Sequence, residues 1–313
     1  MPAIEVLGLG AVAVDDMLFL DCFPAPDAKV PIRRTERRAG GNTGTGLVAA
    51  RRMGRSCGYA GTLGSDELSR FITDGFEAEG ISLVAMVHDE AARPFHSTII
   101  IDTASHTRTI LYNEDHVIGA NAAGPAETVI SGARALLVDF MGLPGMVRAA
   151  RIARAAGVPV VADLERDTGP LLVELLGLSD HLILPWEFAR TLTGAHEGPD
   201  MVRALWQPGR AAVVVTRSAD GCWYLTRDDE GRVYHQPAFR VPEVDTNGCG
   251  DVFHGAYAAG LAEGMPAAER IRLASAVAAM KATNAGGQKG IPVRAAAERF
   301  LAERAREAPR TSA

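Results

Sequence analysis

The chain has 313 residues, 47% hydrophobic and 22% charged, with a net charge of −6. That balance excludes a disordered chain. The net acidity speaks against nucleic acid or an anionic membrane surface, whose binders carry a basic footprint.

In chain order, Met1 to Leu9 has no cationic stretch leading into an apolar run, so no signal peptide is expected there. Ile4–Leu7 is predicted to be a strand. The Gly8-Leu9-Gly10-Ala11-Val12-Ala13 that follows loosely fits a dinucleotide-binding turn, but that turn must open a helix. Here Val14–Leu20 alternates like a continuing strand, which removes the dehydrogenase reading. Asp16–Asp21 with Lys29–Arg38 read as strands with no helix close behind. Arg33, Arg34, Arg37 and Arg38 stand among Asp15, Asp16, Asp21, Asp27 and Glu36. A solvated face and an anion contact are both open readings for them.

His96–Ile101 and Thr107–Asn113 flank the polar turn 102–106 and predict a β-hairpin. These irregular strands, at about 16–38 and 96–113, are expected to form a small β lid that excludes water from a reaction. Ala135–Asp139, Val158–Ala162, His181–Leu184 and Ala211–Thr216 are compact apolar runs of buried-strand type. Helical stretches such as Met146–Ala156 and Thr168–Leu176 separate them. Alternation of this kind predicts an α/β fold, a doubly wound sandwich with a mainly parallel sheet. No linker or repeat divides the chain, so one domain over 1–313 is expected. The apolar window Ile271–Ala285 contains Arg272 and Lys281 and is too short to span a bilayer. Cys22, Cys57, Cys222 and Cys249 form no CxxC pair, which leaves zinc and dithiol chemistry unsupported and fits a reducing, cytoplasmic setting. No membrane partner is expected.

The stretch richest in chemistry is Asp245-Thr246-Asn247-Gly248-Cys249-Gly250-Asp251, which is expected to follow a strand ending at Val244 and to open an apolar helix near Asp251. Glycines there let backbone approach a ligand, and a helix N-terminus offers free N–H groups and a positive dipole end to an anion. Asp251 would be a general base beside that cradle, or an acid that merely stabilises the first helical turn. His254, one turn on, reads as a packed, hydrogen-bonded side chain or as part of the pocket wall. A P-loop enzyme is excluded, since GxxxxGK[ST] does not occur, and serine or cysteine hydrolase chemistry has little support, since no G-x-S-x-G falls at a strand–helix turn.

This heptapeptide resembles the DT-x-GAGD signature of ribokinase-like (PfkB) carbohydrate kinases, with Cys249 in place of alanine. Ala39–Gly46 is similar to that family's N-terminal glycine motif, Gly58–Asp66 to its next strand and turn, and Gly10–Asp15 to its first strand. Val213–Gly221 resembles the strand and loop beside the nucleotide, and Asn284–Gly290 the adenine-side loop. The resemblance implies ATP-dependent phosphorylation of a sugar hydroxyl, of a ketose or related sugar. Asp251 would be the base, and Gly248, Cys249 and Gly250 the anion hole. It implies a sugar site at Asp15, Gly41, Asn42 and Thr45, and a nucleotide site at Thr216, Ser218, Gly221, Asn284 and Gly287. Mg²⁺ would be helped by Glu187 and Asp245, and a monovalent cation such as K⁺ would sit near Asp245 and the Asn284–Gly290 loop. Lids of this type pair between subunits, so a homodimer is expected.

Three features depart from the family pattern. Thr45 stands where an asparagine is usual, Leu184–Arg190 lacks the Asn-x-x-Glu motif, and Ser218 replaces a common glycine. A branch acting on anionic sugars, such as sulfofructose or sugar phosphates, would use Lys29, Arg34, Arg38 and Asn113. A non-catalytic sugar-binding regulator on the same scaffold is the other alternative.

Overall fold

The computed structural model describes residues 3–304 and 310–311. The chain opens with β1 (Val6–Leu9), β2 (Ala13–Leu20) and β3 (Arg34–Gly40), followed by α1 (Asn42–Arg52), β4 (Cys57–Tyr59) and β5 (Gly61–Leu63). Then come α2 (Glu67–Glu79), β6 (Val87–His88), β7 (Phe95–Asp102), β8 (Thr107–Asn113), β9 (Gly119–Ala120) and α3 (Glu127–Ser131). The central stretch is β10 (Ala135–Val138), α4 (Leu143–Ala155), β11 (Val160–Asp163), α5 (Leu171–Leu178), β12 (His181–Pro185), α6 (Trp186–Thr193), α7 (Gly198–Leu205) and β13 (Ala212–Arg217). The chain closes with β14 (Gly221–Thr226), β15 (Tyr234–Gln236), α8 (Cys249–Glu263), α9 (Ala267–Ala282), α10 (Arg294–Glu303) and β16 (Arg310–Thr311).

One nine-stranded sheet, in the order β16-β15-β14-β13-β12-β11-β10-β1-β4, forms the centre. Its strands from β4 to β13 are parallel and the far edge is antiparallel. Period-two alternation sends successive apolar residues to opposite faces, which is why short buried strands need cover on both. Val6, Leu137, Val161, Ile183 and Val214 point into one core, built with α1, α8 and α9. Leu7, Leu136, Val138, Ala162, Leu182 and Val215 point into a second core, under α4 to α7. A fully buried Val or Leu contributes roughly 1.5–3 kcal/mol, so these two layers outweigh any surface pairing.

A separate four-stranded sheet has the order β3-β2-β7-β8, and β7 and β8 form a regular antiparallel hairpin from His96↔Asn113 to Asp102↔Thr107. The strand expected over Lys29–Arg38 begins only at Arg34, while β2 starts earlier, at Ala13. Pro31 accounts for the loss, because it removes a ladder donor within that stretch. No strand ends at Val244 either. The N–H groups of Val244 and Asp245 instead donate to the carbonyl of Ala282 at the end of α9 (2.8 and 3.1 Å).

Helices α1 and α8 cross with backbone almost in contact. A Cβ on Gly255 would lie 2.0 Å from the Gly46 carbonyl oxygen, and one on Gly46 would lie 2.8 Å from Leu137 and 3.4 Å from the Asp251 oxygen. Glycine at the crossing therefore sets how closely the two helix N-termini approach each other.

Candidate active site

Ligands of open α/β sheets bind outside the carboxyl ends of the strands. At that edge here, β10 runs into Asp139 and β11 ends in Asp163, and both are buried. Asp139 accepts from the N–H of Ala11 (2.6 Å), the hydroxyl of Thr43 (2.8 Å) and the N–H of Met141 (2.8 Å). Burial outweighs those bonds and pushes its pKa up to about 6. Gly10 makes the approach possible, since a Cβ there would sit 2.2 Å from the Asp139 carboxylate. Asp163 accepts from Asn42 Nδ2 at 3.5 Å, and burial, then the charges of Glu165 and Asp139, raise its pKa well above the usual carboxylate range.

Gly248, with φ of 77°, caps the start of α8, which begins at Cys249, two residues before Asp251. The N–H of Cys249 donates to the Thr246 carbonyl at 3.1 Å, and the first helical bond runs from the Val252 N–H to the Gly248 carbonyl. The N–H groups of Gly250 and Asp251 lie between these two and precede the helical ladder, so they face whatever lies beyond the helix end. A Cβ on Gly250 would meet nothing within 4 Å, so there is open room over this turn. The thiol of Cys249 points elsewhere: its Sγ lies 3.5 Å from the Ala278 oxygen of α9, and burial pushes its pKa up to about 11. Cys249 is therefore a packed, protonated side chain whose own N–H is already committed.

Asp251 is partly accessible and surrounded by acid. Burial, then the charges of Asp163 and Glu165, hold its carboxyl pKa well above its ordinary value. His254 lies behind it, with Nδ1 2.8 Å from the Gly250 oxygen and 3.4 Å from Asp163 Oδ2, and Nε2 3.0 Å from the Ile183 oxygen. Burial lowers its pKa, and the two carbonyl oxygens and Asp251 oppose that shift. Of its two sequence readings, the packed and hydrogen-bonded one describes it.

The glycine segment joins this centre to the smaller sheet. Gly41, with φ of 84°, is the N-cap of α1 and lies so close to Val12 that a Cβ would be 2.5 Å from its Cα. Asn42 does not cap the helix; its amide reaches Asp163 instead. Thr45 is buried and faces Gly287, whose Cβ position is 3.9 Å from the Thr45 hydroxyl. Asp15 pairs in register with Arg38 and Ser97, and a Cβ on Gly40 would lie 3.3 Å from its carboxylate. Burial raises the pKa of Asp15, against a hydrogen bond from Ser97. Arg38 bonds Glu36 and packs against the chain at Gly286, where a Cβ would come 2.5 Å from its Nη1. Asp15, Gly41, Asn42, Thr45, Gly248, Gly287 and Asp251 thus form one connected patch.

Other predicted residues stand apart. Glu187 is exposed at the start of α6 and bonds Arg190 at 2.6 Å. Asp245 accepts from the N–H of Asn247 (2.9 Å) and of Gly286 (2.7 Å), so its carboxylate braces two loops. Among the described residues no group of three or more His, Cys, Asp or Glu is placed to hold a metal ion. Lys29 is exposed in the loop before β3, and Arg34 bonds Glu36 and lies 3.8 Å over the Phe19 ring. Asn113 accepts from the Asp115 N–H and borders a cavity of about 320 Å³ with His96 and His116. Thr216, Ser218 and Gly221 lie at the β13–β14 turn, beside Trp186, over whose ring Arg217 stacks at 4.0 Å. Asn284 is exposed next to Thr283. A cavity of about 500 Å³ opens at the opposite, amino end of the strands, lined by Arg154, Asp180, His181 and Arg270, and it contains none of the candidate residues.

Sequence reasoning missed Asp139, Asp163 and Lys281. An acid directly after a buried parallel strand was the available signal for the first two. Lys281 lay in plain view within an alanine-rich helix, where nothing local marks it.

Comparison with known proteins bears on the family and the fold. The chain is 25% identical over 307 residues to a bifunctional ribokinase/ribose-5-phosphate isomerase A of Fructilactobacillus sanfranciscensis, covering 93% of this chain and 55% of that one. It is 26% identical over 310 residues to a ribokinase of Haemophilus influenzae, covering 94% and 97%. The structure of Arabidopsis thaliana ribokinase complexed with ribose and ATP superposes with a TM-score of 0.82 at 21% identity, over 96% of this chain and 99% of that one. Residues 9–294 match the profile described as pfkB family carbohydrate kinase, and the chain belongs to that family.

Proposed function

We propose that the protein transfers the γ-phosphoryl group of ATP to a sugar hydroxyl, with Asp251 as general base. The observation that carries this reading is Asp251 itself. A carboxyl with a raised pKa stands at a helix N-terminus whose free N–H groups open onto unfilled space at Gly250. A base works best when its pKa approaches the working pH, and burial among acids moves Asp251 in that direction.

In the proposed step the acceptor oxygen attacks the γ-phosphorus, the bond to the β-phosphate oxygen breaks, and the hydroxyl proton passes to Asp251. Charge growing on the phosphoryl oxygens faces the N–H groups of Gly250 and Asp251 and the positive end of α8. Mg²⁺, bound chiefly through phosphates, would supply further charge neutralisation. The sugar would rest on Asp15, Gly41 and Asn42. The nucleotide would lie along Thr216–Gly221 and the 284–290 loop. The β3-β2-β7-β8 sheet would serve as a lid. Edge strand β8 leaves Ile110, Leu111 and Tyr112 exposed at 47%, 55% and 63%, which supports pairing of two lids in a homodimer.

A charged acceptor has one observation in its favour: Arg38, only 18% exposed, stands beside Asp15 in the cross-strand register. ADP release from Mg·ATP should be measured across neutral ketoses, aldoses, nucleosides and anionic sugars. Turnover on one class is the expected outcome. Silence across the panel with ATP bound would remove the catalytic reading.

A further inference from the structure

Lys281 is fully buried in α9, a position lysine takes only when its charge is answered. Its ammonium donates to the carbonyl oxygen of Asp245 at 2.9 Å and also to that of Asn247, both in the segment that leads into the Gly248 turn. The charge that balances it is the Asp245 carboxylate, which Lys281 helps to keep ionised, after the stronger effect of the Gly286 and Asn247 N–H bonds.

The environment that a monovalent cation would need near Asp245 is therefore in use. The two carbonyl oxygens point at Nζ, and each carboxylate oxygen of Asp245 already accepts a backbone N–H. The K⁺ expected from the family resemblance does not fit these residues. The carbonyl of Lys281 is committed as well, to the N–H of Asn284 at 3.0 Å, and a Cβ on Gly290 would sit 3.0 Å from it. The lysine thus ties α9, the Asp245–Asn247 segment and the 284–290 loop into one unit.

We propose that the Lys281 ammonium is a built-in monovalent cation, so that the phosphate-binding turn is held, and its charge balanced, without K⁺. An ammonium and K⁺ are alike in charge and in their preference for carbonyl oxygens, but the tethered group carries no loss of translational freedom on binding. The inference rests on the kinase reading for its consequence in catalysis, whereas the site itself can be read without turnover.

The test uses the full chain and two readouts that need no sugar: ADP binding by calorimetry and the melting temperature. Both are taken in KCl and in choline chloride at equal ionic strength. The wild-type protein is expected to give the same values in the two salts. Lys281→Ala, which empties the space, is expected to bind ADP roughly tenfold more weakly in choline chloride, about 1.4 kcal/mol. K⁺ or NH₄⁺ should restore both its binding and its melting temperature. A wild-type protein that gains affinity or melting temperature from K⁺ overturns the proposal, as does a variant that no cation restores. If Lys281→Ala does not fold, Rb⁺ binding to the wild-type protein decides: none is expected, and a stoichiometric site overturns the idea. Failure of ADP to bind in any salt would count against the kinase reading instead, leaving the melting temperatures to report on the cation.

Discussion

Charge is handled in opposite ways at the two ends of the active-site patch. Around the start of α8, Asp139, Asp163, His254 and Lys281 are buried and answered mainly by backbone groups, by the Thr43 hydroxyl and by one another. On the smaller sheet the ion pairs reach solvent: Arg33 with Asp21 is exposed, and Arg34 with Glu36 and Arg37 with Asp16 and Glu67 are partly so. Exposed pairs contribute little to stability and exchange partners easily. Buried charges cost desolvation and persist only when the fold fixes their surroundings. The first region therefore suits chemistry that needs fixed dipoles. The second suits a surface that re-pairs when a ligand arrives.

The sharpest way to break this contrast is Asp251→Asn. Turnover is expected to fall by roughly 10²–10⁴ while ATP still binds. The same change should stabilise the protein. A carboxyl whose folded pKa is raised loses stability as pH climbs from its unfolded value, about 3.9, toward the folded one. At neutral pH the amide removes that cost, and the melting temperature should rise by about 2–4 °C. Near-normal turnover would refute the base assignment, and an unchanged or lower melting temperature would show that the site is not strained by its acids.

Next in size is Gly255→Ala. Its methyl group would meet the Gly46 oxygen at 2.0 Å, so α1 and α8 must part. Overpacking of this kind costs about 1–3 kcal/mol or more. Chemical denaturation should show the loss, and activity should fall with it, since Asn42 and Asp251 ride on the two helices. A variant of full stability would mean that the crossing has slack.

How much of this was legible beforehand follows the same division. The alternating apolar strands and the Asp245–Asp251 signature are local in sequence, and the large sheet, the helices around it and the pfkB family assignment followed from them. The hairpin was legible too, because Thr98–Ile101 and Thr107–Leu111 sit either side of a polar turn. The boundaries of β2 and β3 were less so, since Pro31 cuts short the ladder expected from Lys29. What could not be read was partnership at long range. Asn42 meets Asp163 across 121 residues, and Lys281 meets Asp245 across 36. No periodicity carries such pairs. They are products of the α1–α8 crossing and of the way α9 packs back on the loop.

Asp163→Asn probes the electrostatics without touching the base. Asp163 is the strongest charge raising the pKa of Asp251. Activity should rise with pH through that pKa, because Asp251 must lose its proton to act. Removing the neighbouring charge lowers the pKa, so the acid limb of kcat/KM should move down by about one pH unit. A limb that stays in place would mean that the two carboxyls do not share the same field.

The smallest effects are expected on the exposed sheet, and Arg34→Ala sharpens the contrast there. Arg34 bonds Glu36 and lies over Phe19, and neither contact reaches the α8 turn. On a neutral sugar, kcat/KM should therefore stay within about twofold, as for most surface changes. On an anionic sugar the loss should be about tenfold, the value of one charge-assisted hydrogen bond. Equal losses on both classes would tie Arg34 to the stability of the sheet rather than to substrate charge. If neither class responds, recognition of a charged group falls to Arg38. That guanidinium packs from the smaller sheet against the 284–290 loop, and through it against the region of fixed charge.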